Sequence, residues 1–286
     1  MVRRAYHERR RSQLKRTGIF FLYLIGERLN DFPEELEGIL NRPNISFYEA
    51  FYEITPTPLE LLLKVHYRLM IEEVKHTPYY ETALYSTGGT VQAAERIWRR
   101  EIDNAFVFTG TGDHHAGRDY FGGGCHFNGA ALAIANLRQK FGVKRFAILD
   151  TDSHHGDGTR DIFQDDDDVL HICLCSQTYD NRTKVDVSIP YHVSDDEYLT
   201  KLDATFTPRV AKFKPEIIFW EFGYDATRGD YDSKGLSTDC HPKIARIVTR
   251  AADKVCQGRA VAILCGGSRR DIARYCIPRI INCLAL

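Results

Sequence analysis

The sequence shows no surplus of charge of either sign: 38 Lys and Arg stand against 39 Asp and Glu, for a formal net charge of -1. Such balance gives no global pull toward nucleic acid or an anionic membrane, and no basic stripe with interleaved aromatics runs beyond the first turn of sequence. No nucleic-acid or membrane partner is therefore expected. Long hydrophobic runs are also missing. The longest early one, Ile19 to Ile25, is too short to span a bilayer and has no small-residue cleavage site after it, so it reads as a first strand, not a signal peptide. The eight cysteines include no C-x-x-C pair. Scattered through expected strands and helices (Cys173, Cys175, Cys256, Cys265, Cys283), they fit buried, reduced thiols in a cytoplasmic protein. With no internal repeat and no linker, the 286 residues are expected to form one domain, 18–286, behind a basic segment, 1–17.

What is present alternates. Apolar runs at Ile45 to Tyr48, Asn104 to Thr109, Arg145 to Asp150, Val169 to Cys175, Glu216 to Phe222 and Ala260 to Leu264 read as strands. Between them lie helical patterns. Pro33 suits a helix start, and Thr57-Pro58-Leu59-Glu60 caps a helix expected to run to about Lys75. Gly88-Gly89 precedes a helix expected over Thr90 to Arg100, with Val91, Ala94, Ile97 and Trp98 at helical spacing. Cys125 to Phe141 reads as helix, Ser194-Asp195-Asp196-Glu197 opens another to about Lys212, Pro242 opens a third, and Asp271 to Leu284 closes the chain. Strands alternating with helices predict an α/β fold, a largely parallel sheet flanked by helices on both faces.

The chemistry gathers at the C-terminal ends of those strands, where parallel sheets place their ligand sites. Leu149 to Thr159 reads LDTDSHHGDGT. In extended chain Asp150, Asp152 and His154 share one face, so an Asp and a His two apart can hold one cation. Other loops at the same edge carry His114-His115, Asp225 and the Gly266-Gly267 turn. Two carboxylates with one imidazole form a mixed O/N set that leaves a coordination position open, the way catalytic zinc is held. A water there, its pKa lowered toward about 7, would attack an amide or ester carbonyl. Two adjacent histidines would move the protons if carboxylates fix their tautomers, and Asp150 and Asp157 are left for that role.

With these residues in view, the chain resembles the histone deacetylase superfamily in its bacterial and archaeal branch. The resemblance rests on His114-His115-Ala116, Gly124-Cys125-His126-Phe127-Asn128, LDTDSHHGDGT, GYDATRGD at 223 to 230 and Gly266-Gly267, in the family's order. Weaker similarity reaches back through Gly88-Gly89 and Val65-His66. The resemblance implies a single arginase/deacetylase-like domain with one zinc ion, iron being the alternative, held by Asp152, His154 and Asp225. It implies His115 as general base and later acid, His114 as its charged or polarising neighbour, and Asp150 and Asp157 as their supports.

Two departures stand out. Where the family usually follows its glycine turn with a carbonyl-binding tyrosine, this chain has Ser268-Arg269-Arg270. Arg269, with its long reach and five donors, is the expected replacement. Where the family usually walls its acyl-lysine channel with an aromatic beside the cysteine, this chain has Gly124. The leading expectation is a metal-dependent hydrolase of acyl-lysine or a small N-acylated amine. A catalytically weak acyl-amine binder is the second reading. A dinuclear ureohydrolase is the third, disfavoured because Ala226 and Thr227, not another Asp, follow Asp225.

Overall fold

The structure, a computed structural model, describes residues 14–22 and 32–286. The basic residues Arg3 to Arg11, Tyr23 to Ile25 of the expected first strand, and Asp31 lie outside the described residues.

The strands are β1 (Thr17–Phe21), β2 (Ile45–Glu49), β3 (Asn104–Val107), β4 (Phe146–Asp150), β5 (Val169–Cys175), β6 (Tyr179–Asn181), β7 (Lys184–Ser188), β8 (Ile217–Phe222) and β9 (Ala260–Leu264). They form one sheet in the order β2-β1-β3-β9-β8-β4-β5-β7-β6, with every pairing parallel except β6 on β7. The helices are α1 (Phe32–Glu35), α2 (Glu37–Leu40), α3 (Leu59–Leu62), α4 (Arg68–Lys75), α5 (Tyr80–Trp98), α6 (Gly129–Phe141), α7 (Asp157–Phe163), α8 (Asp195–Phe213), α9 (Cys240–Cys256) and α10 (Arg270–Leu284).

The period of two along each strand divides the core. Ile19, Phe21, Phe106 and Leu149 face one way, against α8, α9 and α10. Phe20, Val107, Phe146 and Ile148 face the other, against α4, α5 and α6. Both faces are thus covered, which is why β5 is buried along its whole length. The α/β expectation holds: one largely parallel sheet with helices on both sides.

Local expectations need four corrections. The helix from Thr57 is two helices, α3 and α4, separated by a turn that carries His66 inward. The Gly88-Gly89 pair lies inside α5: a Cβ on Gly88 would collide with the Thr55 carbonyl, so the glycine permits close packing and breaks nothing. Helix α6 starts at Gly129, not Cys125, because Asn128 caps it, its side chain accepting the Ala131 N–H at 2.8 Å. The β6–β7 edge was missed, since Tyr179 to Asn181 is too short to show a period. All eight cysteines are buried and unpaired. Among the described residues no helix is long and apolar enough to cross a membrane.

Candidate active site

Strands β3, β9, β8 and β4 are neighbours, so the loops after them open onto one place at the carboxyl edge. The loop after β4 is drawn into a tight curl by its own side chains. Asp150 Oδ1 accepts the Asp152 N–H at 3.0 Å, and Asp152 Oδ1 accepts the His154 N–H at 3.0 Å, as Asp commonly does in turns. Thr151 is fixed behind it, its hydroxyl accepting the indole N–H of the buried Trp220 at 2.8 Å.

The curl brings Asp152 and His154 against Asp225 from the loop after β8, with one potential ligand atom from each lying within 4.8 Å of the others. His154 Nδ1 is 2.9 Å from Asp152 Oδ1 and 3.1 Å from Asp225 Oδ2. Those contacts, with Asp152 and then Asp225, push the imidazole up to about 10. Burial and the Asp152 charge raise Asp225 to about 7, while at Asp152 burial is outweighed by His114 and His154, which hold it low. Both carboxylates are buried, and Asp152 Oδ2 has no hydrogen-bond partner. Leaving such atoms unsatisfied is costly unless a cation completes the site. The backbone makes room for one: a Cβ on either Gly223 or Gly266 would run into Asp152 Oδ2. The donor set, the orphaned Asp152 oxygen and the glycine cradle fit a divalent ion with a position to spare. His154 Nε2 is in turn 2.9 Å from Asp232 Oδ2, a carboxylate–imidazole contact of the kind that orients a ligating histidine.

Above this cluster is a cavity of about 330 Å³, lined by His114, His115, Asp152, His154, Gly123, Gly124, Tyr231, Gly266 and Gly267 among others. His114 is buried, with Nδ1 2.8 Å from Asp150 Oδ2 and Nε2 3.6 Å from Asp152 Oδ1. Burial opposes its charge, but Asp150 and Asp152 prevail and raise its pKa well above the ordinary value. His115 is more open, with Nδ1 2.5 Å from Asp157 Oδ1. Among the described residues two further groups could hold an ion. In the first, Asp150 and Glu221 are fully buried beneath the cavity and only His114 reaches its wall, and in the second, His155, Cys173, Cys175 and Asp186, Arg160 already grips Asp186 at 2.7 and 3.0 Å. Among the described residues the Asp152 set is the one with two members on the cavity wall, Asp152 and His154.

The sequence-predicted residues therefore gather, with one exception. His114, His115, Asp152 and His154 line the cavity, and Asp225, Asp150 and Asp157 stand directly behind them. Arg269 does not join them: its guanidinium is half exposed and paired with Asp271 at 2.6 and 2.9 Å. The electrophile expected of Arg269 has no geometry here, because a carboxylate two residues on is the nearer partner. Ser268 turns away as well, its hydroxyl on Asp230 at 2.5 Å. Gly124, at φ +79°, has nothing within 4 Å of where a Cβ would stand, so the wall is open there. Tyr231 and Asp232 belong to the site and were not anticipated. Their only signal was their place in the loop carrying Asp225.

Fold and site together define an α/β protein of the arginase/deacetylase type. The chain belongs to the histone deacetylase family: residues 70–284 match the Histone deacetylase domain. It is 31% identical over 258 residues to a "Probable deacetylase" of Archaeoglobus fulgidus, covering 81% of this chain and 71% of that one. It is 29% identical over 219 residues to a "Histone deacetylase-like amidohydrolase" of Pseudomonas aeruginosa, covering 71% and 58%. To a "Polyamine deacetylase HDAC10" of Mus musculus it is 26% identical over 212 residues, 67% of this chain but only 31% of that protein.

Proposed function

We propose that the protein is a zinc-dependent hydrolase that removes an acyl group from an amine, with iron as the alternative ion. The observation that carries this reading is the buried, unpartnered Asp152 Oδ2 converging with Asp225 and His154 beneath an open cavity. An ion held by Asp152, His154 and Asp225 would supply a Lewis acid for the acyl carbonyl and lower the pKa of a water. The remaining steps belong to the protein. His115, its Nδ1 occupied by Asp157, leaves Nε2 to take the proton of the attacking water and deliver it to the leaving amine. His114, charged and held by Asp150, keeps a positive field behind the reacting carbonyl. Metal analysis tests the ligand set: Asp225→Ala is expected to lose most of its bound ion, and full occupancy in that variant rejects the assignment.

The substrate is proposed to be acyl-lysine or a small N-acylated amine, with the second favoured by the open wall at Gly124. A wide mouth holds a slender acyl-lysine poorly and admits bulkier amines. kcat/KM is expected to be higher for small acylated amines than for acetyl-lysine peptides. The reverse order rejects the small-amine choice. The weak-binder reading is favoured by one observation, the engagement of Ser268 and Arg269 away from the cavity.

A further inference from the structure

An amide carbonyl under attack needs a preorganised donor for its developing negative charge, and losing one such donor costs about 10²- to 10³-fold in kcat. The glycine turn does not supply it. At Gly267, φ is +125° and a Cβ would strike the Tyr224 ring, so no side chain fits. Ser268 and Arg269 are committed to Asp230 and Asp271.

One phenol does enter the cavity, from the loop after β8. The ring of Tyr231 stacks on His154 with centroids 5.9 Å apart and planes at 27°. Its hydroxyl interacts with the Asp225 carboxylate and the Gly267 N–H, where the turn and the ligand cluster meet. The residue is 59% exposed overall, as a side chain standing at the mouth of a cavity is. Its backbone is nevertheless fixed. Asp230, itself only 8% exposed, accepts the Tyr231 N–H at 2.8 Å and the N–H groups of Ser268 and Arg269 at 3.1 Å, stapling this loop to the glycine turn.

We propose that Tyr231 is the residue that hydrogen-bonds the acyl oxygen of the substrate, filling from the adjacent loop the role that the glycine turn leaves open. The inference rests on the hydrolase reading above. A phenol O–H can donate a hydrogen bond to a carbonyl oxygen. It lends a hydrogen bond and keeps its proton; the C–N bond breaks, the C–O bond forms, and the transferred proton travels through His115.

The test is Tyr231→Phe in the metal-loaded full chain, with a small N-acetylated amine as substrate and acetohydroxamic acid as a carbonyl-bearing ligand. Expected are a fall in kcat of about 10²- to 10³-fold, wild-type metal content and Tm, and a loss of about tenfold in hydroxamate affinity. Ser268→Ala is expected to leave kcat unchanged. A Tyr231→Phe enzyme that keeps wild-type kcat overturns the inference and leaves the hydrolase reading standing. Parallel loss of metal and activity also overturns it, because the phenol would then act through Asp225. If loaded wild type hydrolyses no acylated amine, the hydrolase reading fails and the hydroxamate decides alone: undiminished affinity in Tyr231→Phe overturns the contact, and a tenfold loss supports it.

Discussion

Two histidines adjacent in sequence meet opposite surroundings. His114 is 2% exposed between two carboxylates, whereas the His115 side chain, 19% exposed, rests on an Asp157 that is itself half open. Under the proposed mechanism only His115 exchanges a proton with substrate. His115→Ala is therefore expected to lower kcat by roughly a hundredfold or more, the scale of general acid–base catalysis, with a milder loss for His114→Ala. Steady-state rates of the two variants check this, and the reverse order would exchange the roles. At this scale the sequence showed which residue types crowd at a strand's end, but not the path that joins them. Asp152 and His154 do meet, but through the curled loop after β4 and not through the period of extended chain, while Asp150 stays behind them on His114. Reach was not legible. Arg269 looked long enough for the cavity, but Asp271 intercepts it, while Tyr231 carried no spacing that marked it as a cavity residue.

At the scale of elements, His66 ties the turn between α3 and α4 to the site. Its Nδ1 meets the Gly117 carbonyl at 2.7 Å, and its Nε2 accepts the N–H of Asn128, the cap of α6, at 3.1 Å. Both contacts need the neutral ring, and burial lowers its pKa to about 4. His241 of α9, buried beside Thr227, is lowered likewise to about 4. Unfolded imidazoles take up protons below about 6.5. Between 6.5 and 4 the unfolded chain thus binds more protons than the folded one, and stability falls as pH falls, by about 3 kcal/mol for each histidine. Glutamine offers a donor and an acceptor without titrating in this range. Tm measured against pH is therefore expected to slope less in His66→Gln and His241→Gln than in wild type, and equal slopes would reject the account. The α3–α4 break and the run of α5 through Gly88 were illegible for a related reason. A glycine that admits a neighbouring carbonyl and a glycine that ends a helix are the same letter until the neighbour is known.

At the scale of the whole molecule, the proposed ion joins residues from strands in the middle of the sheet, so binding it and holding the fold are linked. An ion present at a thousand times its dissociation constant stabilises the folded state by about 4 kcal/mol. For a chain of this size that amounts to an increase in Tm of roughly 10 °C. Chelation is expected to reverse it in calorimetry, and Asp225→Ala is expected not to respond to the chelator. The α/β class, the parallel sheet and its reactive edge were legible because alternating apolar runs report which segments are buried. The order of strands was not, since it depends on pairings between distant segments.

That order has a consequence during synthesis. β9 lies between β3 and β8, yet it leaves the ribosome after every other strand of this sheet. Until Ala260 to Leu264 emerge, the nascent chain can hold only two half-sheets, β2-β1-β3 and β8-β4-β5-β7-β6, each presenting an unpaired parallel edge. Such edges invite pairing with other chains. The strand that carries Gly266 to the Asp152, His154 and Asp225 cluster is thus also the keystone that closes the sheet, and the nascent chain stays exposed to misassembly until β9 has followed every other strand out.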